Sequence, residues 1–103
     1  MDGNSTMKNK IAVCIPAYNR ANVLAPLLDS IVTQDYRNFS ILICEDKSPE
    51  RNAIRSIVNG YQAKYPGMIT YIENDKNLGF DANIRKLIEC ADGDYCFFMG
   101  NDD

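Results

Sequence analysis

The chain has 103 residues with 11 Lys and Arg, 14 Asp and Glu and no His or Trp, so its formal charge is −3. That length holds one small domain with a single core, and a composition of 46% hydrophobic and 24% charged residues belongs to a globular chain, not a disordered one. Lack of His excludes an imidazole general base, a Ser-His-Asp triad and a His-ligated zinc, and the mild acidity argues against a dedicated nucleic-acid binder, which carries a basic face.

The polar start MDGNSTMKNK has no apolar h-region, so it reads as a disordered tail over residues 1–9 and not as a signal peptide. IAVCI (Ile11–Ile15) is a short β-branched apolar run ended by Pro16, which predicts a buried strand. From about Asn22 to Gln34, Leu24, Leu27, Leu28 and Ile31 recur at helical spacing, with Asn22 as the cap and Pro26 tolerated in the first turn. FSILICE (Phe39–Glu45) is a second strand. Ser48, Pro49 and Glu50 then read as a helix start: a capping hydroxyl, Pro at the first helical position and an acid at the positive end.

Ile54, Ile57, Val58 and Tyr61 form the buried stripe of this second helix, and Tyr65-Pro66-Gly67 closes it. MITYIE (Met68–Glu73) is a third strand. After the polar stretch NDKN and Gly79, a third helix is predicted from about Asp81 to Ala91 on Ile84, Leu87 and Ile88. Asp92-Gly93 is a turn, and DYCFFM (Asp94–Met99) is the fourth strand, with Phe97 and Phe98 expected to pack. The order β-α-β-α-β-α-β, with strands apolar at successive positions, predicts an α/β fold: a parallel sheet covered on both faces and joined by right-handed crossovers.

Cys14, Cys44, Cys90 and Cys96 show no C-x-x-C spacing, and three of them lie inside apolar runs. Those three, Cys14, Cys44 and Cys96, read as small buried hydrophobes and not as disulfide or metal ligands, which suits a reducing compartment. No apolar run approaches the roughly 20 residues of a membrane-spanning helix, so the expectation is a cytoplasmic protein. Charge is uneven: residues 1–88 hold nine acids and all eleven bases, whereas residues 89–103 hold five acids and no base. The sequence stops on the adjacent carboxylates Asp102 and Asp103, an ending that suggests a piece of a longer chain.

In open parallel sheets, ligands bind beyond the carboxyl ends of the strands. Those ends carry Pro16-Ala17-Tyr18-Asn19-Arg20, Glu45-Asp46-Lys47-Ser48 and Gly100-Asn101-Asp102-Asp103. PAYNR after the first strand is not the G-x-G-x-x-G of a dinucleotide site, and no G-x-x-x-x-G-K-[ST] phosphate loop occurs. A phosphoacceptor receiver domain would need an acid after the first strand, and there is none.

Two carboxylates on a strand-end turn, Asp102 and Asp103, suit Mg²⁺ or Mn²⁺ with diphosphate oxygens and water in the other positions, where the cation acts as a Lewis acid toward a leaving diphosphate. Spacing alone leaves a solvated turn equally open. Asp46 can accept hydrogen bonds from a base or ribose, and Tyr18 offers a ring to stack. Arg20 reads as a solvated or helix-edge residue before a phosphate contact, Tyr61 and Tyr65 as core and rim, Arg85-Lys86 as the exposed face of the third helix, and Cys44 as buried.

The strings IAVCIPAYNR, ILICEDKSPE, NLGFDAN and ADGDYCFFMGNDD together resemble the nucleotide-binding half of family 2 glycosyltransferases, over residues 10–103 and in the same order. NLGFDAN and GNDD look most like the abequosyltransferase-like branch, which builds surface polysaccharides. The resemblance implies a GT-A fold, a Rossmann-like three-layer sandwich with a mainly parallel sheet of order 3-2-1-4. It implies a nucleotide-diphosphate sugar donor and a glycan or glycolipid acceptor, and, if the full-length protein elongates lipid-linked glycans, work at the cytoplasmic face of the membrane.

Residue by residue, the resemblance assigns nucleotide binding to Pro16, Ala17 and Tyr18 of PAYN, to Asp46 of EDKS, to Asn83 and to Asp102. It assigns the metal, Mn²⁺ or Mg²⁺, to Asp103 first and Asp102 second. Three positions depart from the family pattern: Glu45 stands for the first acid of D-D-G-S, Lys47 for its Gly, and Asn101 for the first acid of Asp-x-Asp. No residue here matches the family's catalytic base. A non-catalytic nucleotide-binding module is the alternative that these departures keep open.

Overall fold

Strands and helices alternate along the whole described chain: β1 (Ile11–Ala17), α1 (Ala21–Val32), β2 (Phe39–Glu45), α2 (Arg51–Lys64), β3 (Ile69–Glu73), α3 (Phe80–Cys90) and β4 (Tyr95–Phe98). The computed structural model describes residues 10–35, 38–93 and 95–99. All three strand pairings are parallel and the sheet order is β3-β2-β1-β4, the order expected from the resemblance. β1 and β2 are paired from Ile11 opposite Phe39 to Ala17 opposite Glu45, so both end at the same edge.

Successive strand side chains point to opposite faces, and the core divides accordingly. Val13, Ile15, Ile41 and Ile43 pack with Leu24 and Leu28 of α1 and Ile54 and Val58 of α2. Ala12, Cys14, Leu42 and Cys44 face the other way, against Leu87 of α3. The central strands need apolar residues at every position because both of their faces are covered. The turn before β4 comes so close to β1 that a Cβ on Gly93 would sit 3.0 Å from the Lys10 carbonyl oxygen.

Several expectations shift. β1 does not stop at Pro16 but runs on to Ala17. The Cys14 carbonyl accepts from the Met99 amide on the β4 side, so by alternation Pro16 also faces that side. Its missing N–H falls past Cys14 and Phe98, the last β1–β4 pair. α1 starts at Ala21 after Arg20, not on an Asn22 cap, which puts Pro26 in the second turn. Asn22 and Pro26 are both exposed, so the carbonyl deprived of its usual donor lies on the solvent side. α2 starts at Arg51 with Glu50 at the cap position and no side-chain cap bond. The Ser48 hydroxyl is buried without a hydrogen-bond partner among the described residues.

The largest correction concerns β4. Tyr95, Phe97 and Phe98 are 59%, 56% and 39% exposed, and Ile88 of α3 is 52% exposed. The expected packing of Phe97 and Phe98 is not found because the helices seat over β1, β2 and β3, while β4 is held mainly by β1. An apolar groove of about 430 Å³ remains beside it, lined by Ile11, Val13, Ile31, Phe39, Phe97 and Met99 among others. Likewise Cys14 and Cys44 are buried, as expected, but Cys96, on β4, is exposed against expectation, as is Cys90. No helix among the described residues is long and apolar enough to cross a membrane.

Candidate functional site

Two of the three expected strand-end segments meet at the carboxyl edge. The Asp46 amide donates to the Ala17 carbonyl at 3.0 Å, fastening the exit of β2 to that of β1. Beyond this joint the chain leaves β1 through Tyr18, 47% exposed, and then through Asn19 (φ 57°) and Arg20 (φ 60°); past β2, Lys47 (φ 55°) adopts the same left-handed backbone. Each costs an L-residue roughly 1 to 2 kcal/mol, and such strain collects at functional edges. Lys47 stands where the family pattern has Gly, and its positive φ shows what that Gly relieves.

Glu45 is fully buried. Its carboxylate accepts from the Lys47 amide at 2.8 Å, the Ser48 amide at 2.6 Å and the Arg51 guanidinium. The turn into α2 therefore holds its own anion. Glu50, at the α2 cap, reaches instead to α1 and accepts from the Ala21 amide at 2.9 Å. Glu45 thus locks the turn after β2, and Glu50 ties the two helix starts together.

Asp46 is only 3% exposed. Its Oδ1 accepts from Asn74 Nδ2 at 2.9 Å and the Leu78 amide at 2.7 Å, and its Oδ2 from the Gly79 amide at 2.9 Å. The Asp46 carbonyl accepts from Asn77 Nδ2 at 2.9 Å. A carboxylate oxygen accepts two hydrogen bonds or more, so Oδ2 keeps capacity for a ligand while Oδ1 is committed to the loop. Gly79, at the cap of α3 with φ 94°, occupies a conformation that few L-residues reach.

Asn83 is buried beneath this edge, donating to the Cys44 carbonyl at 3.0 Å and accepting from Asn74 Nδ2 at 2.9 Å. Of the nucleotide-binding expectations, the structure brings together Ala17, Tyr18, Asp46 and Asn83. Pro16 is half-buried on β1. Asp102 and Asp103 lie outside the described residues. Among the described residues no group of three or more His, Cys, Asp or Glu could hold a metal.

Sequence reading missed Asn74, Arg51 and Lys86. Asn74 is 1% exposed and joins Asp46 to Asn83, while its carbonyl accepts from Arg51. Its signal was placement: it follows β3 directly, as Asp46 follows β2. Lys86 was expected on the exposed face of α3 beside Arg85; it is half-buried, and its ammonium donates to Asn74 Oδ1 at 2.7 Å. Burial pushes the Cys44 thiol up to about 11, so it stays neutral at ordinary pH and donates to Asn74 Oδ1 at 3.3 Å.

The description Glycosyl transferase family 2 matches residues 12–103. The chain belongs to this family. It is 37% identical to the abequosyltransferase RfbV of Salmonella typhimurium over 90% of its own length, and spans 28% of that protein. It is 31% identical to the amylovoran biosynthesis glycosyltransferase AmsB of Erwinia amylovora over 89% of its length, spanning 30% of that protein. This family 2 chain superposes on the mannosyltransferase PcManGT from Pyrobaculum calidifontis, solved in complex with GDP-Man and Mn²⁺, with TM-score 0.82, 21% identity, and coverage of 92% of this chain and 28% of that one. It superposes on TarS 1-349 of S. aureus with TM-score 0.80, 25% identity, and coverage of 91% and 28%. These are GT-A glycosyltransferases, and the fold is theirs.

Proposed function

We propose that this family 2 chain is the donor-binding portion of a glycosyltransferase that takes a nucleotide-diphosphate sugar with a divalent cation and passes the sugar to a hydroxyl of a glycan or glycolipid in surface polysaccharide synthesis. The observation that carries the reading is the joint at the carboxyl edge: the exposed Tyr18 ring leaves β1 beside Ala17, to which the Asp46 amide is bonded at 3.0 Å. Tyr18 supplies a surface for a base to stack on, and Asp46 Oδ2 an acceptor for a base N–H or a ribose hydroxyl. Pro16 and Ala17 are assigned to the backbone that sets Tyr18 at this edge, and Asn83 supports Asp46 through Asn74.

The relatives named for abequose transfer and amylovoran synthesis support the polysaccharide setting. TarS, solved with UDP-GlcNAc, and PcManGT, solved with GDP-Man and Mn²⁺, support the donor class. The cation, Mn²⁺ or Mg²⁺, is assigned to Asp103 first and Asp102 second, which follow β4 in sequence; their oxygens suit a hard cation. Such a cation would offset the charge of a departing diphosphate. No residue of this chain is assigned to the acceptor site or to the catalytic base.

Thermal unfolding with uridine or guanosine diphosphate, with and without Mn²⁺, tests the reading. Ligand at 100 times Kd stabilises by about 2.7 kcal/mol. The wild-type chain is expected to gain stability from the nucleotide and more with Mn²⁺, and Asp103→Ala to lose only the metal-dependent increment. Equal gains in both proteins would refute the metal assignment, and no gain with either nucleotide would refute donor binding by this chain.

A further inference from the structure

A carboxamide can point either way, and only its partners set its direction. At Asn74 the partners are one-sided: the Lys86 ammonium, which only donates, lies 2.7 Å from Oδ1, and the carboxylate of Asp46, which only accepts, lies 2.9 Å from Nδ2. Nδ2 also donates to Asn83 Oδ1 at 2.9 Å, which turns the Asn83 amide so that its own Nδ2 donates to the Cys44 carbonyl at 3.0 Å. The chain of hydrogen bonds from Lys86 through Asn74 to Asp46 therefore has a single polarity, and both Asn74 and the Asn83 branch are buried.

We infer that Lys86 is a positioning residue of the carboxyl edge: through the Asn74 carboxamide it fixes the Asp46 carboxylate and, with it, the 77–79 loop, and so sets the edge's affinity for a nucleoside diphosphate. The last clause rests on the donor-binding reading above. Without the ammonium, Asn74 Oδ1 keeps only the weak Cys44 thiol as donor, and the carboxamide is held on its Nδ2 side alone, by Asp46 and Asn83, so it turns more readily. Turned over, it sets a carbonyl against Asp46 Oδ1, two acceptors face to face. Asp46 then loses one donor, and its grip on the Leu78 and Gly79 amides loosens with it. Arg85, the neighbouring cation on α3, is exposed and takes no part in these bonds.

The test compares the wild-type chain with Lys86→Met, which keeps the aliphatic stem, and Lys86→Arg, which keeps a donor-only cation. Amide hydrogen exchange at Leu78 and Gly79 reads the loop, and exchange at Val13 and Ile43 in the central strands reads global stability. Lys86→Met is expected to speed exchange at Leu78 and Gly79 at least tenfold while Val13 and Ile43 change less than twofold, and Lys86→Arg to restore protection. Uridine or guanosine diphosphate with Mn²⁺, whichever the wild type binds, is expected to bind Lys86→Met at least fivefold more weakly. Unchanged exchange at Leu78 and Gly79, or equal acceleration at Val13 and Ile43, overturns the positioning role. Loosened loop amides with unchanged affinity overturn the link to binding. If the wild type binds neither nucleotide, the donor reading falls with that link, and the exchange rates alone still decide the role of Lys86.

Discussion

The fully buried carboxylate of Glu45 meets the guanidinium of Arg51, six residues further along, with Arg51 Nε on Glu45 Oε1. A second guanidinium nitrogen of Arg51 donates to the Asn74 carbonyl, so one side chain joins the exits of β2 and β3. Arg51→Met leaves the buried charge with only the Lys47 and Ser48 amides. Removing one partner of a buried pair costs about 3 to 5 kcal/mol. The lower end, about 3 kcal/mol, is expected because those amides remain and the Arg51 side chain is 22% exposed. Urea unfolding of the variant checks this, and a loss below about 1 kcal/mol would mean that the pair does not hold the turn.

Lys47 offers the opposite sign. Its φ of 55° costs roughly 1 to 2 kcal/mol, whereas Gly there pays about 0.5 to 1 kcal/mol in unfolded-state freedom. Lys47→Gly is expected to stabilise by about 0.5 kcal/mol, a Tm rise of about 3 °C for a domain of this size. Lys47→Val, with a branched Cβ in the same conformation, is expected to lower Tm. A calorimetric series of the three proteins decides, and a lower Tm for the glycine variant would show that the Lys47 side chain does more than occupy the turn.

How far these features were legible in the sequence follows from the kind of signal each one leaves. The alternation of elements came through because Ile11–Ile15 and Ile41–Cys44 are apolar on both faces, a pattern that a covered parallel strand needs, whereas the sheet order followed from the family resemblance and not from the pattern. β2 was placed to the residue, since Glu45 ends an unbroken apolar run. Glu45 and Asp46 were visible as a pair of acids, but not that one locks a turn and the other a loop 32 residues downstream at Leu78. Asn74, just past β3, and Lys86, within α3, were hidden because polar residues look solvated until tertiary packing buries them. Phe97 and Phe98 misled for the reverse reason: an apolar strand announces that it can be buried, not that these helices reach it.

That contrast predicts unequal costs for two apolar residues on neighbouring strands. Ile15 is fully buried between α1, α2 and the sheet, so Ile15→Ala is expected to cost about 3 to 4 kcal/mol. Phe97 is 56% exposed, and Phe97→Ser in the 103-residue chain is expected to cost less than about 1 kcal/mol, mostly strand propensity. Denaturant midpoints of the two variants read the difference directly. A cost at Phe97 equal to that at Ile15 would place β4 inside a core and contradict its exposure.

Alkaline pH should weaken the fold through its buried thiols. Burial pushes Cys14 and Cys44 from the ordinary 9.0 up to about 11, so between those values the unfolded chain has released both protons and the native one still holds them. With fewer protons bound in the unfolded state, stability falls as pH rises, by up to roughly 3 kcal/mol per pH unit for two groups. Tyr61, held up to about 12 first by burial and then by Asp29, and Tyr71, raised first by burial and then by Glu73, push the same way above pH 10. The full benefit is therefore present below about pH 9 and lost progressively up to about pH 11. Urea midpoints at half-unit steps from pH 8 to 10.5 are expected to fall steeply above 9, with a shallower slope in Cys44→Ala. A chromogenic disulfide reagent at pH 8 offers an independent reading: Cys90 and Cys96, both exposed, are expected to react within seconds to minutes, and Cys14 and Cys44 only as the protein unfolds. Four equally fast thiols, or a flat stability profile above pH 9, would show that the layer between α3 and the sheet is open to solvent.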